Sequence, residues 1–478
     1  MFSVFKIIIK NEWLHFIRNK FQIGLLVGVL ILGVAAVFNG ILLVNSQKET
    51  IAEISKIESK EFQEYEDAFK NEITNQEQKR HYTNATNPAF AWHRHTYNAI
   101  FPIHDYASLS IGQLDLNPFY FRLTGMSLYY QIFENDIANP LKLFVGNFDL
   151  SFIIIYLFPL LIITFTYSLY AQEKEQGILP MLKLQTLGVD RIVISQWAFY
   201  FILITGLALG VTLLGLLCSG NILKADNQYP VFIWLVGVFM YCSFWFGVML
   251  LIIGLKMSSA FNAIMSLGIW LVLLIVIPAV LNIWVTIQYP IDNTPLAAIS
   301  RRNSMDNEND PNEAHQIIQD FFRQAPRYYR PKDSVSNNLA AKAYAGLTSL
   351  QDIHNTLHVT TYRHQVRQRD LWTKKMNWIS PAINIQELFN QVGHTDVSSY
   401  QHFQQSIKIF HDQITAFYFK KLFWDKKIQQ SDYKNRPVFQ LVEGKTLRFY
   451  ALIDLGKIVG AFFLFATIGW LLLKRKNT

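Results

Sequence analysis

The sequence contains little cysteine and little charge, and these shortages narrow the class of protein. Its 478 residues include two cysteines, and charged residues make up 16% of the chain, against about 25% in typical soluble domains. Cys218 and Cys242 both lie in apolar stretches, so no disulfide framework is expected in the polar segments. We expect both thiols to pack as small apolar side chains. The cysteines therefore predict neither a metal site nor a redox site.

The chain also lacks the motif with which an ATPase binds phosphate. Gly444, Lys445 and Thr446 form a GKT triplet. A phosphate loop needs a further glycine at the position that Phe439 occupies, and it follows a strand. The triplet precedes an apolar segment instead. We therefore expect no nucleotide or other cofactor in this chain, and no catalytic residue is predicted.

Long apolar runs, by contrast, are abundant. A helix needs roughly 20 apolar residues to cross a bilayer, and backbone polar groups in lipid must pair within the helix. Six runs meet this length and predict an all-α polytopic membrane protein, surrounded by membrane lipid. The predicted transmembrane helices are 21–44, 151–171, 193–219, 231–254, 260–288 and 449–473.

Two long polar segments, 45–150 and 289–448, lie between the apolar runs. We expect them to form two mainly helical external domains. Residues 1–20 combine basic residues with apolar residues at helical spacing. This pattern predicts an amphipathic helix on the cytoplasmic membrane surface, with a simple extension of the first span as the alternative.

Helical patterns continue inside the polar segments. Apolar residues recur every three or four positions between 51 and 73, which indicates that the first membrane helix continues outward. Further patterns predict helices at about 336–377 and 398–426. Ser380 and Pro381 separate these two helices, because the residue before a proline disfavours helical geometry.

Basic residues set the expected orientation. Residues 1–20 and the C-terminal Lys474, Arg475 and Lys476 flank an even number of crossings, and short positive flanks stay in the cytoplasm. This places both termini and 172–192 on the cytoplasmic side of the membrane and the two external domains on the opposite side. The same retention accounts for the formal net charge of +8, so no nucleic-acid partner is expected.

Segment 172–192, between the second and third spans, carries the most specific functional pattern. It contains Glu173, Glu175 and Gly177, followed by an amphipathic run at 178–184. A short helix with an apolar face can dock in a groove of a cytoplasmic partner. Motion of that partner would then move both attached spans. An ordinary loop is the alternative, but the apolar run at 178–184 is not typical of an ordinary loop.

Histidine pairs raise the question of a metal site. His93 and His95 form an HxH pair, and His354 and His358 lie one helical turn apart. Imidazoles at this spacing can share a metal ion. No nearby cysteine or acidic cluster completes a tetrahedral set, so we expect solvated or packed histidines and no metal.

Asp454 and Lys457 lie one turn apart near the outer end of the last span. Ionisable residues inside spans are often functional. Their shallow depth favours a structural pair whose side chains extend toward the interface.

Segment 172–192 resembles the part of ABC-2-type transporter permeases that contacts the ATPase subunit. The matching residues are Glu173, Glu175, Gly177, Ile178, Leu179, Leu182, Leu187 and Arg191. Residues before and within the second span also match this family. They are Pro140, Leu141, Gly146, Phe148, Asp149, Leu150, Pro159, Leu160 and Leu161.

Residues 378–403 resemble a branch of these permeases with two large external domains. The residues that match are Trp378, Ser380, Pro381, Ala382, Gly393, His394, Thr395, Asp396, His402 and Phe403. We take Ser380, Pro381, Gly393, Thr395 and Asp396 as the family signature.

The resemblance implies six transmembrane helices of the ABC-2 exporter type. It further implies a second permease, either another copy or a paralogue, and a dimer of separate ATPase subunits that hold ATP and magnesium. A re-entrant helix is expected between the fifth and sixth spans, and we place it around 278–290. The residues assigned to ATPase coupling are Glu173, Glu175, Gly177, Leu179, Leu182 and Arg191.

Together, the residue patterns and the resemblance predict the permease subunit of an ATP-binding cassette transporter. We expect it in a bacterial inner membrane, with both termini in the cytoplasm and the two external domains in the periplasm. It would couple ATP hydrolysis in its partner to export or extrusion of a substrate, with a periplasmic protein or a lipid as candidates. One alternative is a mechanotransmission complex that moves its periplasmic domains without transport. Another is a membrane-bound sensor or enzyme without an ATPase.

Overall fold

The chain folds into a membrane-type helical bundle that carries a large polar body at one end. The computed structural model describes residues 2–70, 73–133, 148–178, 181, 188–220, 228–291, 311–330, 337–442 and 447–475. Six of its helices are long enough and apolar enough to cross a membrane, which confirms the predicted number. These spans 1 to 6 are Lys20–Asp67, Leu150–Glu175, Val189–Cys218, Gln228–Gly254, Ser259–Gln288 and Leu452–Lys474.

Span 4 forms the centre of the bundle, and spans 1, 5 and 6 lie at its periphery. Of the most apolar stretch of span 4, 78% is buried, against 11% of span 5. Span 4 packs most extensively on span 6, where Gly254 of span 4 and Gly469 of span 6 allow the two backbones to approach closely. Small residues at helix crossings permit this contact in membranes.

Spans 2 and 5 each contain one π-helical turn just before a proline. The turns are Ile153–Leu157 before Pro159 and Val272–Val276 before Pro278. Proline has no N–H to donate and its ring disturbs the preceding turn. A carbonyl in the turn before each proline therefore loses its backbone donor. Because lipid offers no hydrogen bonds, another protein group must donate to it.

Side chains from neighbouring helices supply those donors in span 2. The Tyr241 hydroxyl donates to the carbonyl of Ile155 at 2.9 Å, and the Trp270 indole donates to the carbonyl of Tyr156 at 3.3 Å. Tyr241 belongs to span 4 and Trp270 to span 5, so the π-helical turn of span 2 is hydrogen-bonded to two other spans.

Outside the spans, the described chain forms helices, short 3₁₀ turns and one hairpin. Span 1 extends far beyond the bundle, since its 48-residue helix is about 72 Å long at 1.5 Å per residue. The remaining helices and turns are Phe2–Arg18, Gln76–Thr86, Pro88–Arg94, Asp105–Ser108, Leu128–Phe133, Pro311–Gln324, Pro326–Tyr328, Leu339–Met376, Asn377–Ile379, Pro381–Gly393, Val397–Phe423 and Gln430–Lys434. The sixth span begins as a helix at Leu447.

The two helices expected at 336–377 and 398–426 are present as Leu339–Met376 and Val397–Phe423. We call Leu339–Met376 the long helix. Strands Tyr97–Ile100 and Tyr120–Leu123 pair antiparallel with Tyr97 opposite Leu123. No sequence pattern noted above predicts this strand pair.

The two polar segments, treated above as separate domains, share one hydrophobic core. His95 and Tyr97 of the first segment both hydrogen-bond the Tyr418 hydroxyl of the second, at 2.8 and 2.7 Å. Trp92 packs edge-on against Phe419, with ring centroids 5.9 Å apart. We call the resulting single unit the extramembrane body.

Helix Pro381–Gly393 enters the bundle between the spans and is called the inserted helix below. It packs on spans 4 and 6. Phe389 stacks on Trp234 of span 4, with ring centroids 4.1 Å apart, and Gly237 of span 4 leaves room for its apolar side chains.

The expected re-entrant helix around 278–290 is therefore wrong in position. Span 5 continues as helix to Gln288, because its π-helical turn absorbs the disturbance from Pro278. The element that enters the bundle between spans 5 and 6 lies about a hundred residues later, in the inserted helix.

The contact between spans 4 and 6 gives a direct test of this packing. A Cβ at Gly469 would lie 2.6 Å from backbone atoms of Leu250 and Leu251, whereas Gly460 of the same span has open space. Gly469→Ala should lower the thermal midpoint of the purified protein through an overpacking cost of about 1–3 kcal/mol. Gly460→Ala should leave the midpoint unchanged or raise it; equal midpoints for both variants would contradict the crossing.

Candidate functional site

The turn after span 2 is hydrogen-bonded to the beginning of span 5. We call residues 171–178 the elbow. The Glu175 carboxylate accepts from the backbone N–H and from the hydroxyl of Ser259, each at 2.8 Å. An anion at the N-terminus of a helix is favourable, because the helix dipole places partial positive charge there. Glu175 therefore links the elbow to span 5. The predicted role of Glu175 was contact with an ATPase, and this bond within the chain was not predicted.

The elbow also contacts the ends of spans 4 and 6. Lys174 donates to the carbonyl of Lys256, in the turn between spans 4 and 5, at 3.2 Å. Lys256 in turn donates to the carbonyl of Arg475, at the end of span 6, at 2.6 Å. The two basic side chains thus connect the elbow with the turn after span 4 and with the C-terminal end of the bundle.

Helix Phe2–Arg18, called the N-terminal helix below, packs at the same end of the bundle as the elbow. Gln196 of span 3 donates to Glu12 at 2.9 Å and also hydrogen-bonds Glu173. Trp13 lies edge-on to Phe199 of span 3. The N-terminal helix, the elbow, the turn after span 4 and the C-terminal end consequently lie at one end of the bundle, opposite the extramembrane body. We call this end the loop side.

The other predicted coupling residues have different surroundings. Gly177 has φ of +72°, a left-handed conformation that favours glycine. Arg191 is exposed near the start of span 3. The apolar side chains of Ile178 and Met181 are exposed too, Met181 by 69%. Leu179 and Leu182, like the GKT triplet, lie outside the described residues.

The signature residues cluster at the two ends of the inserted helix. Ser380 is its N-cap and Pro381 its first residue, and the Ser380 hydroxyl accepts from the N–H of Ile383 at 3.4 Å. The same hydroxyl donates to the carbonyl of Leu273 at 2.9 Å. In the π-helical turn, the N–H of Ile277 donates to the carbonyl of Val272, five residues earlier. The next such bond would run from residue 278 to the carbonyl of Leu273, but Pro278 has no N–H. The Ser380 hydroxyl therefore supplies the donor that Leu273 lacks.

At its other end, the inserted helix joins the extramembrane body. Gly393 packs closely on the carbonyl of Ser110, and the Thr395 hydroxyl donates to that carbonyl at 3.0 Å. Asp396 caps the following helix by accepting from the N–H of Ser398 at 3.2 Å. Four of the five signature residues thus define where the helices begin and end, and Thr395 holds their junction.

A polar cleft of about 650 Å³ opens beside this junction. The long helix, the residues after the inserted helix and the start of span 6 form its walls. Its lining residues are Phe101, Pro102, His104, Arg367, Asp370, Leu371, Lys374, Lys375, Gln391, His394, Asp396, Ser398, Ser399, Gln401, His402, Gln405, Leu441, Val442, Ile453, Asp454 and Lys457. Its size is that of a small-molecule site, which typically has about 300–1,000 Å³.

Lys374 forms ion pairs with Asp370 of the cleft lining and with Glu387 of the inserted helix. Its amine lies 2.9 Å from Asp370 and 3.3 Å from Glu387, and it donates to Ser398 at 2.6 Å. Burial alone would lower the pKa of Lys374, but the Glu387 and Asp370 carboxylates raise it overall. The amine therefore stays charged, as buried carboxylates require.

Asp454 and Lys457 form the structural pair that their depth suggested. Lys457 donates to Asp454 at 2.8 Å, and both bind the side chain of Asn377, at 2.7 and 3.0 Å. Asn377 directly follows the long helix. The pair thus anchors the end of the long helix to span 6.

The two histidine pairs have different surroundings. Both ring nitrogens of His95 have protein partners, Tyr418 and the carbonyl of Asn84. His354 and His358 face each other at a ring-centroid distance of 6.2 Å. Within the described ranges, no group of three His, Cys, Asp or Glu side chains is placed to hold a metal ion.

Sequence reasoning missed the inserted helix and the ion cluster around Lys374. A local signal was present, because Ser-Pro at 380–381 is a typical helix start, with serine as N-cap and proline at the first position. Asp370 and Lys374 are four residues apart on the long helix, a spacing that allows an ion pair. Glu387 belongs to the inserted helix, and its meeting with them has no signature in sequence spacing.

Loss of the Ser380 hydroxyl should weaken the insertion. Ser380→Ala removes a helix cap, worth about 0.5–2 kcal/mol, and leaves the part-buried carbonyl of Leu273 without its donor. We expect a lower thermal midpoint for the purified protein. Ser59→Ala removes an exposed hydroxyl that bonds only within its own helix and serves as control. Equal midpoints for both variants would show that the Leu273 bond contributes nothing.

Acid should destabilise the extramembrane body through His95. Burial lowers the pKa of His95 to about 3 from its ordinary 6.5. The unfolded chain thus binds this proton more readily, and stability falls as pH drops below about 6.5. Protonation of His95 should lower the free energy of unfolding by up to about 1.4 kcal/mol per pH unit. The thermal midpoint of His95→Gln should therefore fall less between pH 7 and pH 5 than that of the wild type. An identical loss in both proteins would contradict the assignment.

Comparison with known proteins finds one family. Residues 295–441 match a family described as a domain of unknown function (DUF3526). No curated protein and no solved structure matches the chain. The matched part contains the long helix, the inserted helix and helix Val397–Phe423, so the similarity covers the second polar segment and the element that enters the bundle.

Proposed function

We propose that this chain is the permease subunit of an ABC-2-type transporter. A separate ATPase dimer, with its own ATP and magnesium, would dock on the elbow and drive export or extrusion of a substrate. The elbow supports this most strongly, because it is bonded to the parts of the bundle that would have to move. The resemblance of residues 173–191 to the coupling segment of such permeases agrees with this position.

Displacement of the elbow would act on several spans at once. Glu175 links it to span 5, and Lys174 links it through Lys256 to the end of span 6. Glu173 and Gln196 connect it to span 3 and the N-terminal helix. Packed helices and hydrogen bonds would transmit a displacement of the elbow to these spans. An ordinary loop without such bonds would change its own conformation and leave the spans in place.

The proposed partners fit the exposed surfaces. Ile178 and Met181 present apolar side chains beside the elbow, which suits a groove on the ATPase. Spans 1 and 5 are largely exposed along their apolar stretches, which suits lipid and a second permease. The loop side would face the cytoplasm of a bacterial inner membrane, with the extramembrane body in the periplasm.

One observation favours the mechanotransmission alternative. Span 1 runs without a break into the extramembrane body, and the inserted helix bonds both span 5 and Ser110 of that body. Bundle motion would thus reach the body directly. Substrate flux in reconstituted vesicles separates the two functions, since ATP-dependent movement of the body without flux would favour mechanotransmission.

Charge reversal at the elbow tests the coupling. Glu175→Arg removes both bonds to Ser259 and places a cation at a helix N-terminus. We expect the variant to insert normally and to retain less than about a tenth of the ATPase stimulation, a loss of roughly 1.4 kcal/mol or more. The readout is ATP hydrolysis by the ATPase that co-purifies with the full chain.

The control is Glu53→Arg, which makes the same change at an exposed site on the outer part of span 1. It should keep full stimulation. Full stimulation in Glu175→Arg, or equal losses in both variants, would rule out the assigned role of the elbow.

A further inference from the structure

The polar cleft lies beside the outer end of span 6. Asp454 and Lys457, near the outer end of span 6, line one wall. Close by, Trp372 of the long helix stacks on Trp284 of span 5, with ring centroids 4.4 Å apart, and Trp378 is 65% exposed. Tryptophan is enriched at the boundary between lipid and water. The end of the long helix therefore reaches the head-group layer.

Each acidic residue that lines the cleft already has a partner. Asp370 pairs with Lys374, and Asp454 pairs with Lys457. Asp396 caps its own helix. The carboxylates are thus committed to groups of the protein and leave little capacity for a cationic ligand.

Two cations of the lining, by contrast, are uncommitted. Arg367 and Lys375 are exposed on the long helix. Within the described part of the chain, neither side chain hydrogen-bonds or pairs with another residue. Their spacing of eight residues places them about 12 Å apart along the helix axis and about 80° apart around it. A ligand with negative charge would satisfy them.

Two buried amide atoms also lack partners at the cleft. Gln391 is 5% exposed, and its Oε1 atom is buried with no hydrogen-bond partner among the described residues. The Nε2 atom of Gln401 is buried and equally unsatisfied there. Leaving such groups unpaired is costly, and a ligand that both accepts and donates hydrogen bonds would pair them.

Exposed apolar side chains border the same cleft. They are Leu371, Val442 and Ile453, which are 47%, 53% and 40% exposed. Ile453 belongs to span 6, so this apolar edge continues toward the lipid. A free anion would not use these side chains, whereas the glycerol and the first acyl carbons of a lipid would cover them.

We propose that the cleft binds the phosphate-bearing head group of a membrane lipid. The phosphate lies between Arg367 and Lys375, where paired cations suit its oxygens. Gln401 donates to the phosphate, and Gln391 accepts from a head-group hydroxyl. The acyl chains leave along Ile453 into the bilayer. This site goes beyond the proposed coupling function and requires no ATPase.

Equilibrium binding to the full-length protein in detergent tests the proposal. The probes are phosphatidylglycerol, diacylglycerol with the same acyl chains, and glycerol 3-phosphate, each measured by native mass spectrometry. The wild type should bind phosphatidylglycerol at least about tenfold more tightly than either other probe. Equal affinity for diacylglycerol would overturn the phosphate contact. Equal affinity for glycerol 3-phosphate would overturn the lipid and leave a soluble phosphate as ligand.

Charge-changing variants locate the site. R367E/K375E should lose the preference for phosphatidylglycerol over diacylglycerol. K79E/R80E carries the same charge change on an exposed helix that does not line the cleft, and it should keep the preference. If R367E/K375E keeps it as well, the lipid binds elsewhere and the proposal is wrong.

A second variant guards against misfolding. Q401L keeps every charge and removes the unpaired donor, so it should weaken phosphatidylglycerol binding by about threefold to tenfold while the thermal midpoint stays the same or rises. Unchanged affinity in Q401L would remove Gln401 from the site and contradict the assigned geometry. Because no ATPase takes part, failure of these tests would leave the proposed coupling function untouched.

Discussion

A hydrogen bond from Ser380 to the carbonyl of Leu273 sets how deeply the second polar segment enters the bundle. Leu273 lies 14 residues beyond the start of span 5 at Ser259, or about 21 Å along the helix. Its carbonyl needs a donor because Pro278 supplies none, and lipid supplies none either. The inserted helix thus begins beside a carbonyl of span 5 that has no backbone donor. The bond from Ser380 to this carbonyl fixes the position of the inserted helix.

The inserted helix connects the bundle with the extramembrane body. Its apolar face packs on span 4 through Phe389 and Trp234, while Gln386 and Asn390 bond Ser110 of the body. At the loop side, the elbow is bonded to the same span 5 through Glu175 and Ser259. A continuous series of contacts therefore runs from the elbow along span 5 to Ser380 and on to the body, and this series underlies the proposed coupling.

Much of the fold can be predicted from the sequence, because length and apolarity determine which helices can cross a membrane. The six spans, the outward extension of span 1 and the two polar-segment helices follow from such local patterns. The shared core of the body does not, since Tyr97 and Tyr418 meet across 321 residues of sequence. The elbow residues are recognisable by pattern, but the bond from Glu175 to Ser259 depends on how spans 2 and 5 pack.

Hydrogen–deuterium exchange of the full chain with its co-purified ATPase tests the central claim most directly. Exchange is compared between the nucleotide-free complex and the complex trapped with a non-hydrolysable ATP analogue. The account predicts altered exchange in the elbow, around Leu273 and in the inserted helix. Altered exchange confined to the elbow, with the inserted helix unchanged, would contradict it.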